Sequence, residues 1–284
     1  LRRYQREAAE IFHQGGAASG GHGVIVLPCG AGKTVVGLAS LALIRQQCLI
    51  LVTNVTAARQ WIREVLDKTT LTEEQVGEYS GERKDIKPVT VATYQILTWR
   101  RDRKGPFEHF GLFNATDWGL IIHDEVHLLP APIFRITADL QACRRLGLTA
   151  TLVREDGLET EVFTLIGPKR YDVPWKELEK QGFIAEAACR EIRVELTQSL
   201  RIEHAVAEAR QKHRIAAENP GKRDLVVKLA RHHANDRVLV IGQYLDQLED
   251  IASALKAPLI TGRMPNGERD VLYDKFRSGE VPLL

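Results

Sequence analysis

The apolar run VIVLP, residues 24–28, passes directly into CGAGKT and then into helix-forming sequence from about 33 to 46. A strand that ends in a glycine-bearing turn and reopens as a helix cannot return as a hairpin. A helix in that place supplies the crossover that a parallel neighbour needs. The pattern continues in kind. CLILV (48–52) precedes helical TAARQWIREVLDKT, VTVATY (89–94) precedes helical QILTWRR, and LIIHD (120–124) and RLGLTAT (145–151) follow. Strands alternating with helices predict an α/β fold with parallel sheets flanked by helices on both faces. LRRYQREAAEIF, residues 1–12, predicts a preceding helix with Tyr4, Ala8, Ile11 and Phe12 on its buried face.

The turn itself has a chemistry. Gly30 and Gly32 let backbone N–H groups converge on an anion, and the helix N-terminus adds partial positive charge. Cys29 and Ala31 complete the loop, Lys33 can reach the outer phosphates of a nucleotide, and the Thr34 hydroxyl can ligate Mg²⁺. Leu27 stands where the strict phosphate-loop pattern has glycine. The strand–turn–helix context carries the assignment in its place.

A second signal lies in WGLIIHDEVHLL, residues 118–129, where a buried strand ends in two adjacent carboxylates flanked by imidazoles. In a parallel sheet this strand end shares an edge with the phosphate loop. Asp124 can then hold Mg²⁺ through water, and Glu125 can orient or deprotonate an attacking water. His127 is placed to bridge toward the next strand end. There Thr149 and Thr151 flank Ala150, and their hydroxyls could relay phosphate status or serve as ordinary strand-terminal groups.

Composition is that of an ordinary globular chain. Of 284 residues, 44% are apolar and 27% charged, with a formal net charge of +2. That charge neither requires nor excludes a nucleic-acid partner. Cys29, Cys48, Cys143 and Cys189 form no CxxC pair, which argues against a zinc site or disulfide framework and for a reducing compartment. No membrane-spanning run or signal peptide is visible, so a cytoplasmic location is expected, nucleoid-associated in a prokaryote and nuclear in a eukaryote.

Taken in order, YQ (4–5), PCGAGKT (28–34), VTNVTAARQW (52–61), VATYQIL (91–97), DEVH (124–127) and TAT (149–151) resemble a superfamily 2 helicase. The DEVH spelling, with RED (154–156) just after TAT, resembles the XPB-type DNA helicases. The similarity covers nearly the whole chain. RVLVIGQYLDQLEDIA and ITGRMPNGERDVLYDKF resemble the start of that family's second motor domain.

The resemblance implies two RecA-like domains, ATP and Mg²⁺ as cofactors, and DNA as partner, with repair or transcription proteins alongside. It gives Gln5 an adenine-reading amide. Thr53, Arg59, Thr93 and Tyr94 fall in segments that hold the phosphates of a nucleic-acid strand without reading sequence. Thr149, Ala150 and Thr151 would couple hydrolysis to movement, and Arg154, Glu155 and Asp156 would act in strand separation. Movement would be 3′-to-5′. Trp61, Trp99, Trp118 and Trp175 could stack on bases, although scattered aromatics more often fill cores.

The expected organisation is a first motor domain over 1–168, a linker over 169–189, and a truncated second domain over 190–284. SLRIEHAVAEARQKHRIAA (199–217) reads as one polar helix ended by NPG (219–221), in place of a full DNA-gripping thumb. RVLVIG (237–242), PLIT (258–261) and VPLL are expected strands. The Leu1 start and the VPLL end suggest a piece of a longer protein, which would bind nucleotide yet hydrolyse it poorly. Three other readings stay open: a duplex translocase that does not separate strands, a nucleotide- and DNA-binding module without turnover, and a small-molecule phosphate-loop kinase.

Overall fold

The computed structural model describes residues 1–17, 20–102, 104–128, 144–151 and 159–284, with the backbone alone at 159–161. The chain forms two compact units, Leu1–Ala187 and Ala188–Leu284.

The first unit is built on a seven-stranded sheet. In chain order its strands are β1 (His22–Val26), β2 (Cys48–Val52), β3 (Val76–Tyr79), β4 (Val89–Thr93), β5 (Leu120–Asp124), β6 (Arg145–Thr149) and β7 (Lys169–Asp172). They lie in the order β3-β4-β2-β5-β6-β1-β7, and every pairing is parallel. Successive side chains point to opposite faces, so each strand feeds two cores. Ile25, Ile50, Val91, Ile122 and Leu148 pack beneath α1 (Arg3–His13), α2 (Lys33–Ile44) and α3 (Val55–Lys68). Val24, Leu49, Leu51 and Ile121 pack on the other face with Tyr94, Leu97, Phe113, Trp118 and Ile166. Burial on both faces explains why the central strand CLILV is an unbroken apolar run.

Several local expectations are corrected. On α1 the buried face is Tyr4, Gln5, Ala8, Ala9 and Phe12, whereas Ile11 is exposed. QILTWRR gives only the single turn Tyr94–Leu97. The segment 169–189 is not a linker. Lys169–Asp172 pairs with β1 as an edge strand, and the helix Trp175–Lys180 inserts Leu178, which is 0% exposed, into the α1–α3 core. A charged edge strand such as KRYD has no apolar period for sequence to reveal, and charge on an edge discourages further pairing.

The second unit is mainly helical, with helices at Gln198–Val206, Ala209–Ala217, Pro220–His232, Leu245–Leu255 and Asn266–Ser278. The expected single helix over 199–217 is broken in two, because Ala207 is extended and Glu208 caps a new start. NPG opens the next helix rather than ending one. The Asn219 side chain accepts the Gly221 N–H at 3.0 Å, and Pro220 occupies the first turn, where no N–H is needed. The expected strands at 237–242 and 258–261 do not form. Val238 makes one isolated parallel bridge to Leu283, and Ile241 is 85% exposed. An apolar run becomes a strand only where neighbours take up its backbone hydrogen bonds.

Candidate active site

The phosphate loop begins at the end of β1, where the Leu27 N–H donates to the Thr149 carbonyl at 2.9 Å. That bond joins the loop to the end of β6. Gly30 and Gly32 both take positive φ, +77° and +82°, which a side-chain-bearing residue would resist. Among the described residues a Cβ on Gly30 would meet only Ile184, at 3.9 Å, so space is open beside this glycine. Ala31 is buried, and Cys29 is exposed at the rim. Lys33 and Thr34 open α2.

Helix α1 braces the loop from below. The Tyr4 hydroxyl and the Gln5 Nε2 both donate to the Ala31 carbonyl, at 2.6 and 2.9 Å. The Gln5 Oε1 accepts the Arg2 N–H at 3.0 Å. Gln5 is only 5% exposed. Its amide is therefore engaged with the loop backbone through the Ala31 carbonyl.

The acid pair arrives from β5 on the same sheet edge. The Lys33 Nζ lies 3.3 Å from the Glu125 Oε1. Asp124 is fixed at both carboxylate oxygens: the Trp61 indole N–H donates to Oδ2 at 2.8 Å, and the Glu125 N–H donates to Oδ1 at 3.1 Å. Burial pushes the Asp124 carboxyl above its usual range, and Glu125 adds to that, while the Trp61 hydrogen bond and the Lys33 charge oppose it. Glu125 has φ +48°. A left-handed non-glycine residue costs about 1–3 kcal/mol and is held only by its surroundings. The turn aims one carboxylate at both Lys33 and His127, whose Nδ1 is 3.4 Å from Oε2.

His127 continues the chain of contacts, with its Nδ1 2.8 Å from the Thr149 Oγ1. Thr149 donates its single hydroxyl proton to the Thr151 carbonyl at 2.5 Å and accepts the Thr151 N–H at 3.2 Å. With that proton committed, His127 carries hydrogen on Nδ1 and donates. Glu125, His127, Thr149 and Thr151 thus form one polar path from the acid pair to the β6 end, flanking Ala150.

His123, one residue before the acids, is 1% exposed. Burial, then the Arg145 charge, pushes its imidazole down to about 3, so it is neutral. Among the described residues its Nδ1 has no hydrogen-bond partner.

The expected nucleic-acid contacts divide. Thr53, just before α3, and Arg59, in its second turn, are half-buried, and Arg59 is ion-paired with Glu82. Thr93 and Tyr94 are 2% and 3% exposed, and the Tyr94 hydroxyl donates to the Asp124 carbonyl at 3.0 Å. Tyr94 thus ties the end of β4 to the acid strand. Trp61 and Trp118 are buried, while Trp99 and Trp175 are partly exposed. Arg154, Glu155 and Asp156 lie outside the described residues.

The donor set suits Mg²⁺. Among the described residues no three His, Cys, Asp or Glu side chains cluster as a metal cage. Magnesium with a nucleotide uses few protein ligands, typically a hydroxyl or carboxylate with water and phosphate oxygens. The Thr34 hydroxyl and the Asp124 carboxylate match that pattern.

The family model described as "Type III restriction enzyme, res subunit" matches residues 1–154, and "ERCC3/RAD25/XPB C-terminal helicase" matches 178–281. The chain is 57% identical over its full length to "DNA 3'-5' helicase XPB" of Kineococcus radiotolerans, covering 50% of that protein. The chain belongs to the XPB-type superfamily 2 helicases. Another XPB-type relative, from Mycobacterium tuberculosis, is 55% identical, again over 100% of this chain and 50% of its own length. The Danio rerio "General transcription and DNA repair factor IIH helicase/translocase subunit XPB" is 35% identical over 98% of this chain and 36% of its own. The chain therefore spans about half the length of the bacterial XPB-type relatives it matches. The Pyrococcus furiosus Hef helicase domain aligns with TM-score 0.51 and 15% identity, covering 100% of this chain and 85% of that one. That likeness is one of fold, and it agrees with the RecA-like α/β architecture expected of the XPB-type family. No helix among the described residues is long and apolar enough to cross a membrane.

Proposed function

We propose that the protein is an ATP-dependent DNA helicase or translocase of the XPB type. It would couple ATP hydrolysis to 3′-to-5′ movement on DNA, in a repair or transcription setting. The observation that carries this reading is the 3.3 Å approach of Lys33, from the phosphate loop, to Glu125, from β5. It brings a cation and the acid pair to one loop, which supports reading Glu125 as the water-orienting carboxylate and Asp124 as the metal-holding one.

The chain's own residues then have distinct tasks. The loop N–H groups and Lys33 hold the phosphates, Lys33 exchanging Glu125 for the outermost phosphate. Thr34, and Asp124 through water, would hold Mg²⁺, which neutralises the charge developing on the phosphates. Glu125, freed from Lys33, orients the attacking water and takes its proton as the bond to the leaving phosphate oxygen breaks. Arg59 and Thr53 contribute contacts to the DNA backbone, which a motor must grip without reading sequence. The path through His127 and Thr149 to Thr151 reports the state of Glu125 to the β6 end. Arg154, Glu155 and Asp156 would separate strands. The protein would be nucleoid-associated in a prokaryotic cell and nuclear in a eukaryotic one.

A duplex translocase is the second reading, favoured by the "helicase/translocase" wording of the Danio rerio relative's name. DNA-stimulated ATPase and strand-displacement assays on the full-length protein test both. Stimulation with displacement supports the helicase, and stimulation without displacement supports the translocase. ATP turnover indifferent to DNA overturns both. DNA affinity is expected to fall steeply with salt.

A further inference from the structure

Trp61 is a large buried side chain, 2% exposed, on the middle of α3. Its indole N–H is spent on the Asp124 Oδ2 at 2.8 Å rather than on a backbone carbonyl. Its ring is seated by a gap on α2. A Cβ on Gly37 would come within 2.7 Å of the indole Cη2, a separation real Cβ atoms do not show. Any larger residue at 37 would push the ring away, so the glycine and the tryptophan form a matched pair. Leu148 closes the same seat from β6, in contact at 3.4 Å with the position a Gly37 Cβ would take.

The helix that carries Trp61 begins at Asn54, whose side chain accepts the Ala57 N–H at 2.8 Å. The same helix carries Arg59 two residues before the tryptophan. The carboxylate it touches has its other oxygen fixed by the Glu125 N–H. Two donors at two oxygens set the plane of the carboxylate, leaving its remaining lone pairs directed by the protein.

We propose that Trp61 is a positioning residue for the metal site: its indole N–H orients Asp124 toward Mg²⁺ and ties that carboxylate to the helix bearing Arg59. Partners of this kind, one step removed from a metal, fix the ligand's orientation and shift metal affinity when lost. The inference rests on the nucleotide-binding reading of the site given above.

The test measures binding, so it does not depend on turnover. The 284-residue chain is titrated with a fluorescent ADP analogue at increasing Mg²⁺, in wild type, Trp61→Phe, Asp124→Ala and the double variant. Trp61→Phe keeps a ring and deletes the donor. It is expected to raise the Mg²⁺ needed for half-maximal binding by about 10-fold, with affinity in the absence of Mg²⁺ unchanged. In the Asp124→Ala background the same change is expected to have no further effect on Mg²⁺ dependence. An unshifted Mg²⁺ requirement in Trp61→Phe, or an equal shift with and without Asp124, overturns the positioning role. Wild type that binds no nucleotide at any Mg²⁺ concentration overturns the parent reading instead. If Trp61→Phe loses its cooperative thermal transition, Gly37→Ala decides. It keeps the indole donor but displaces the ring and with it the N–H from Asp124, so a Mg²⁺ requirement equal to wild type overturns the proposal.

Discussion

The Lys33 ammonium and the Glu125 carboxylate are ion partners at 3.3 Å, although they come from strands separated by β6 in the sheet. Each is held by backbone rather than by the pairing itself: Lys33 by the first turn of α2, and Glu125 by a left-handed turn at φ +48°. In the absence of nucleotide each neutralises the other. Lys33→Ala is expected to leave Glu125 facing the incoming phosphates and to lower turnover by roughly 100-fold or more. A steady-state ATPase measurement with wild-type turnover in that variant excludes the loop assignment.

Glu125→Gln keeps the size of the side chain and removes its basicity. Nucleotide affinity is expected to stay within a few-fold of wild type, while single-turnover hydrolysis falls by roughly 100- to 10,000-fold. Loss of binding in parallel with turnover would show that the residue holds the turn rather than acts on water.

Cysteine reactivity gives a probe of the loop that requires no turnover. Cys29 is exposed at the rim, Cys189 is exposed in the second unit, and Cys48 is fully buried in β2, where burial drives its thiol well above the ordinary range. Reactivity follows thiolate population and access. Iodoacetamide with peptide mapping is expected to label Cys29 and Cys189 and to spare Cys48. ATP with Mg²⁺ is expected to slow labelling at Cys29 alone. Equal protection at Cys189 would point to a global change.

Leu178 tests whether residues 169–189 belong to the first unit. It is 0% exposed in the α1–α3 core. Leu178→Ala is expected to cost about 2–5 kcal/mol in a urea titration. Ile202→Ala, at a site 65% exposed in the second unit, is expected to change stability by no more than about 0.5 kcal/mol. Matching midpoints for the two variants would restore the linker reading.

His22 supplies a pH dependence. Burial first, then Arg145, Arg144 and Arg170, hold its imidazole below the ordinary 6.5. The unfolded chain therefore takes up the proton at higher pH than the folded one, and the stability present above about 6.5 is lost as pH falls below it. His22→Gln is expected to flatten the acid side of a urea-midpoint profile between pH 7.5 and 5. An unchanged slope would assign that side to other groups.

The sequence by itself determined what local chemistry can encode. Apolar runs and crossover helices specified a parallel sheet, because burial on both faces requires them. The glycines at 30 and 32 specified the tight turn between β1 and α2, because few other residues adopt that backbone. The adjacent acids at the end of an apolar strand specified where two carboxylates would stand once the two strand ends shared an edge, beside Lys33. Only the tertiary structure decided what depends on partners distant in sequence. VGEY and KRYD became strands because neighbours accepted their backbone, whereas RVLVIG, more apolar than either, found a single bridge. Gln5 and Tyr94 turned inward because Ala31 and Asp124 offered carbonyls within reach. Trp61 read as one scattered aromatic among four. Its hydrogen bond to Asp124 appears only when α3, β5 and the space above Gly37 are brought together, since a donor's partner is a matter of distance, not of spacing along the chain.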